Sequence, residues 1–160
     1  MSAKRHDRTA ARCAALQVLY SSELVDTPVA QIIDSGSFLE GDDKLSDYAI
    51  GLAKGTAFNQ GEIDAYLKES SENWALDRMP VVDRCLLRMA VYEMLYVDAV
   101  PVSVTINEAV ELAKEFGGED DSSRFVNGVL GRVARTIDPE AAVEASDQDG
   151  QAAGETADAE

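Results

Sequence analysis

Lys4, Arg5, Arg8 and Arg12 place four cations in the first dozen residues, "MSAKRHDRTAAR", against a single acid, Asp7. The 160-residue chain as a whole carries a formal charge of −16. A local basic cluster in an acidic chain suits one chemistry above others, the neutralisation of a polyanion such as nucleic acid. Residues 5, 8 and 12 follow i, i+3, i+7 spacing, so a helix over this stretch carries them on one face. The same face continues into Leu16 and Leu19, which belong to a core. The helix is therefore expected to overhang the packed body and project charge from its first turns. A solvated, frayed end is the other reading, and composition leaves both open.

A second pair of residues lies far along the chain. In "SSRFVNGVLG" (122–131), Phe125 stands off the apolar stripe Val126, Val129, Val133 by about 100°, one residue's rotation, and Arg124 points further outward. An aromatic ring beside a guanidinium at a helix start forms a platform on which an unpaired base can stack. The alternative is Phe125 packed against neighbouring helices. Gly128 and Gly131 each cost about 1 kcal/mol relative to Ala inside a helix. They suggest close approach by another helix rather than a phosphate loop.

Catalytic candidates are scarce. The one histidine, His6, sits in the basic arm where no core orients it, which excludes His-based triads and His-bearing zinc sites. No G-x-G-x-x-G or P-loop glycine pattern occurs. Asp42–Asp43 and Asp120–Asp121 fall in expected loops without EF-hand spacing and read as solvated carboxylates. Cys13 and Cys85, the only cysteines, lie inside apolar helical patterns with no CxxC or Cys/His cluster, as buried free thiols do. The chain is expected to be a binding protein rather than an enzyme, with no cofactor and no metal. No apolar run approaches the ~18 residues of a membrane span, and no hydrophobic signal segment precedes the arm. A cytoplasmic location without membrane contact follows as the expectation.

The charge is unevenly spread. Asp138, Glu140, Glu144, Asp147, Asp149, Glu155, Asp158 and Glu160 crowd the last stretch, which contains no Lys or Arg. Removing these eight acids from the −16 leaves −8 for residues 1–137. An Ala/Gly/Asp/Glu segment without periodicity buries too little apolar surface to offset its ordering entropy, so 138–160 is expected to be a disordered tail. Such a tail would repel non-specific RNA or fold back on the arm.

The elements that must position the basic and aromatic residues are helical throughout. Residues 9–25 place Cys13, Leu16, Leu19 or Tyr20, and Leu24 at helical spacing. Thr27 is expected to N-cap a second helix with Pro28 at its first position. Leu45, Tyr48, Leu52, Ile63, Tyr66 and Leu67 mark a long stretch broken near Gly61. "SSENWALDRM" is the least periodic segment and divides the halves. Pro80 opens a helix with Val82, Leu86, Leu87, Ala90, Met94 and Val97 inward. Ser103 or Thr105 is expected to cap the next, where Thr105 and Glu108 fit a T-x-x-E capping box, and "GG" at 117–118 ends it. A last helix carries Val126, Val129, Leu130, Val133 and Ile137. The fold class is all-α, about seven helices in two small bundles. The segments are a basic arm (1–7), two helical subdomains (8–75 and 76–137) and the acidic tail (138–160).

Four segments, "ARCAALQVLYSSEL", "WALDRMPVVDRCLLRMAVYEML", "VPVSVTINEAVELAKEFG" and "SSRFVNGVLG", resemble in order those of the NusB family of transcription antitermination factors. Together they cover most of residues 8–137, and "INEAVELAK" followed shortly by "FVNGVLG" is the most specific part. The resemblance implies two helical subdomains packed roughly at right angles and a non-enzymatic role. It implies binding to the single-stranded boxA element of ribosomal RNA transcripts, with a small-subunit ribosomal protein that doubles as NusE. Other Nus factors and RNA polymerase enter indirectly, in support of ribosomal RNA synthesis and maturation. Some family members self-associate through the RNA surface, which leaves a homodimer open.

Residue by residue, the family's basic RNA-binding segment falls on Lys4, Arg5, Arg8 and Arg12, a thinner arm than many because Thr9 and Ala10 replace bases. The Lys/Arg-Phe pair before "VNG" falls on Arg124 and Phe125, with Asp121 just ahead, close to the RNA and tempering affinity. Asp83 and Arg88 match an acidic and a basic position near the RNA or the protein partner. "GGEDDSS" is one residue longer than the commoner loop, and the tail lies outside the resemblance. The rival readings are the helical module that precedes some ribosomal RNA cytosine methyltransferase domains, and a purely protein-binding acidic adaptor. The chain has neither a methyl-donor glycine loop nor a catalytic cysteine region.

Overall fold

A computed structural model describes residues 2–36, 44–71, 75–118 and 120–139, with side chains from Asp7 onward. Seven α-helices follow one another: α1 (Ser2–Leu24), α2 (Val29–Ser35), α3 (Asp47–Phe58), α4 (Gln60–Ser70), α5 (Val81–Tyr96), α6 (Val102–Phe116) and α7 (Ser122–Ile137). A single 3-10 turn, Leu76–Arg78, leads into α5, and the described residues contain no strand. None of these helices is long and apolar enough to cross a membrane.

The punctuation is more varied than the sequence suggests. Asp26 takes a positive φ of 49° to turn the chain after α1, and the Ser22 hydroxyl donates to the Thr27 carbonyl at 2.5 Å. Thr27 does not cap α2: its hydroxyl donates back to the Val25 carbonyl, and Pro28 itself occupies the N-cap position. Ser46 caps α3 by accepting from the Ala49 amide at 3.2 Å. The α3–α4 break falls at Asn59, whose side chain donates to the Gly55 carbonyl at 2.8 Å. Pro101 holds the N-cap position of α6, so neither Ser103 nor Thr105 caps it. Thr105 and Glu108 share the inward face one turn inside the helix; the i, i+3 spacing of a capping box is also the spacing of a common face.

α5 is the axis of the molecule. It packs against α1, α3, α4, α6 and α7, and a helix covered on all sides must be apolar nearly all round. Cys85, Leu86, Leu87, Met89, Ala90, Val91 and Met94 are accordingly buried. One continuous core joins Ala15–Leu19 of α1, Leu52 of α3, Ile63 and Leu67 of α4, and Val126–Val133 of α7. Burial pushes the Cys85 thiol up to about 11, so it stays a protonated, inert core residue.

Glycine marks close approach at a different place from the one expected. A Cβ on Gly55 would run into the Tyr92 ring, so this residue lets α3 lie against α5. Gly128 and Gly131 have nothing within 4 Å of such an added Cβ and face outward from the α7 stripe. They are not helix-packing glycines.

Candidate nucleic-acid interface

The backbone of α1 is helical from Ser2, so the arm is the start of the first helix. The side chains of Lys4 and Arg5 lie outside the described residues, as does that of His6. Arg8 is half-buried, with its guanidinium 5.4 Å from the centroid of the Tyr48 ring.

Arg12 departs from the expectation. It is only 4% exposed and its Nε donates to both carboxylate oxygens of Glu93 at 3.0 Å. Its Nη1 lies 3.9 Å from Glu108 Oε2. Glu93, 1% exposed, also accepts from the Tyr48 hydroxyl at 2.6 Å and from the Thr105 hydroxyl at 2.7 Å. Thr9 donates to Glu108 at 3.1 Å. Arg12 is thus a core residue whose charge is already neutralised, and it is withdrawn from the set of phosphate-binding cations. Helical spacing identifies a face but not the point along it where packing begins; on this face packing begins at Arg12, one turn before Leu16.

The sequence does not single out Glu93, and it places Tyr48 on an apolar stripe and Thr105 with Glu108 in a capping box and not in one buried cluster. The signal was present in α5 and α6, where Glu93 and Glu108 stand among inward apolar residues. A buried carboxylate requires a cation, and Arg12 is the one that α1 directs inward. Burial first, then the bond to Glu93, pushes the Tyr48 phenol up to about 12. Its hydroxyl therefore remains a donor at any physiological pH.

At the start of α7, Asp121 is exposed and takes the N-cap position without a side-chain cap bond. Arg124 is exposed, and Phe125 is half-buried against the edge of the core. The packing reading of Phe125 holds in so far as it lies against the core, and the residue is not fully covered.

Asp83 and Arg88 are both buried and paired within the protein. Asp83, 2% exposed, accepts from the Ser122 hydroxyl at 2.9 Å and the Gly118 amide at 3.3 Å. It latches the α6–α7 loop onto the first turn of α5. Arg88, also buried, forks onto Asp64 through Nε at 2.8 Å and Nη2 at 3.0 Å, and donates through Nη1 to Glu23 at 2.8 Å. Burial opposes its charge, but the Asp64 bonds and the two carboxylates outweigh this and raise its pKa. Arg84 adds a second bond to Glu23 at 3.2 Å. These contacts tie α1, α4 and α5 together.

The two groups of candidate residues sit at different levels of α5. Ser122 is anchored at Asp83 and Arg12 at Glu93, ten residues along the same helix, which is ~15 Å of rise. The described part of the arm and the start of α7 are thus anchored at different levels of α5.

The NusB family model matches residues 9–135. The transcription antitermination protein NusB of Shouchella clausii (strain KSM-K16) is 46% identical over 124 residues, covering 78% of this chain and 91% of that protein. Among solved structures, T. maritima NusB superposes with a TM-score of 0.71 at 37% identity, covering 80% of this chain and 90% of that one. The structure of the antitermination factors NusB and NusE in complex with double-stranded RNA shares the fold, with a TM-score of 0.67 at 24% identity, covering 82% and 98%.

Proposed function

This chain belongs to the NusB family, and from that premise we propose that it binds the boxA-type single-stranded element of ribosomal RNA transcripts together with the small-subunit ribosomal protein that acts as NusE. In this reading it is a non-enzymatic antitermination factor, linked through other Nus factors to RNA polymerase, that promotes ribosomal RNA transcription and maturation. The observation that carries the reading is the arm: the first turns of α1 bring Lys4, Arg5 and Arg8 ahead of the packed core, in a chain whose remaining charge is strongly negative.

Affinity and discrimination come from different stations. Lys4, Arg5, Arg8 and the exposed Arg124 neutralise phosphates and release counterions, a contribution blind to sequence. The accessible part of Phe125 stacks an unpaired base, and exposed base edges supply hydrogen bonds. An extended strand touches both stations, with the ribosomal protein completing the site. Asp121, beside Arg124, lowers the attraction for phosphate at that corner.

Titration of the purified protein with boxA-like and scrambled RNA, with and without the ribosomal protein, tests the proposal. Preferential binding of the boxA-like strand, tightened by the ribosomal protein, is the expected result; equal binding of both RNAs in either condition contradicts it. Phe125→Ala is expected to weaken boxA-like RNA by about 5- to 150-fold, the range of one base–aromatic stack. The loss on scrambled RNA should be smaller. Equal losses on the two RNAs would assign Phe125 to packing alone.

A further inference from the structure

Arg8 and Arg12 stand one helical turn apart, and both guanidinia lie near the same aromatic ring, at 5.4 and 6.0 Å from the Tyr48 centroid. Their chemistry nevertheless differs. Arg12 is neutralised by Glu93, whereas among the described residues no carboxylate pairs with Arg8. We propose that Tyr48 is a positioning residue of the RNA-binding arm, which holds the Arg8 guanidinium on its ring and so fixes the direction in which α1 leaves the body. This rests on the arm's role proposed above.

The ring is itself immobilised. Tyr48 lies in the first turn of α3, whose start is pinned by the Ser46 cap, and its hydroxyl is bound to Glu93 Oε2 at 2.6 Å. The Glu93 carboxylate cannot swing, because Arg12 of α1 and Thr105 of α6 hold it as well. A rigid chain of contacts therefore runs from the core of α5 and α6 through Glu93 and Tyr48 to Arg8.

An aromatic face is the appropriate holder for a cation that has work to do. A carboxylate would neutralise Arg8, as Glu93 neutralises Arg12. The ring quadrupole orients a guanidinium but leaves its charge and its N–H donors free for a phosphate. The hold also extends the support of α1 to the residue before Thr9. The hold at Arg8 adds to that of Thr9 on Glu108 at 3.1 Å and leaves only residues 2–7, ~9 Å of helix, beyond the last supported side chain. Lys4 and Arg5 are then carried by a short, directed helix end, and less conformational entropy is lost when they meet RNA.

The test is a double-mutant cycle read on RNA binding, with Arg8 side-chain order measured in parallel. Arg8→Ala is expected to weaken RNA binding about fourfold at 0.15 M salt, the share of one phosphate on a single strand. Tyr48→Leu is expected to weaken binding at least as much, and the double variant no more than the worse single one. Tyr48→Phe, which keeps the ring, is expected to retain most of the affinity. NMR relaxation of the Arg8 Nε–H group in RNA-free protein should show order in the wild type and Tyr48→Phe that Tyr48→Leu loses. Additive losses in the cycle, or Arg8 order unchanged by Tyr48→Leu, overturn the proposal. Failure of the wild type to bind RNA would instead remove the functional premise, and the Arg8 order measurement would still decide whether Tyr48 holds the arm.

Discussion

Replacing Arg12 by alanine is expected to destabilise the fold by about 3–5 kcal/mol, the cost of leaving a buried charge without its partner. At roughly 3 °C per kcal/mol for a chain of this size, Tm should fall by about 10 °C or more. The reason lies with Glu93, buried where α1, α3, α5 and α6 meet and serving as acceptor for Arg12, Tyr48 and Thr105 at once. Glu93→Ala should cost a similar amount, since Arg12 loses its bidentate partner and two hydroxyls lose their acceptor. Arg12→Met with Glu93→Leu, which removes both charges and keeps the volume, should recover much of the loss. Arg8→Ala should change stability by no more than about 1 kcal/mol, the value of a cation–π contact at a partly exposed site. Urea unfolding followed by circular dichroism separates these cases. Wild-type stability in Arg12→Ala would return that residue to the arm.

The joint substitution of Lys4, Arg5 and Arg8 by alanine should leave the fold intact and weaken RNA binding on the order of 50-fold at 0.15 M salt. The figure follows from three phosphates on a single strand, each contributing about 0.7 to the log–log salt dependence. The deficit should shrink toward nothing near 1 M salt, where counterion release no longer favours the complex. This is a different failure from that of Phe125→Ala, whose loss depends on RNA sequence and hardly on salt. The two variants together assign affinity to the arm and discrimination to the α7 corner.

The all-α class and the placement of seven helices were legible because hydrophobic periodicity is a local signal, and the apolar stripes of α5, α6 and α7 are long. The exposure of Arg124 and the half-burial of Phe125 were legible because both fall off such a stripe. What was not legible has one physical origin. Arg12, Asp83, Arg88, Thr105 and Glu108 are polar residues that the fold buries and satisfies with partners distant in sequence, such as Arg12 with Glu93 and Arg88 with Glu23. A polar residue on a helix reads locally as a solvent face, a cap or a ligand, and only the tertiary partner shows that it is core. Gly128 and Gly131 failed for the converse reason: a helical glycine suggests a close neighbour, and α7 has none there. The close approach between helices at Gly55, against the Tyr92 ring, joins residues distant in sequence and has no local signature.

The central claim is a division of labour between four cations that meet RNA (Lys4, Arg5, Arg8 and Arg124) and one, Arg12, that holds the core. It is tested most directly by the salt dependence of boxA-like RNA binding in the wild type and the Lys4/Arg5/Arg8 triple alanine variant. Four neutralised phosphates predict a log–log slope of about −3 for the wild type, and removal of three predicts about −0.7 for the variant. A wild-type slope near zero, or the same slope in both proteins, would contradict the account.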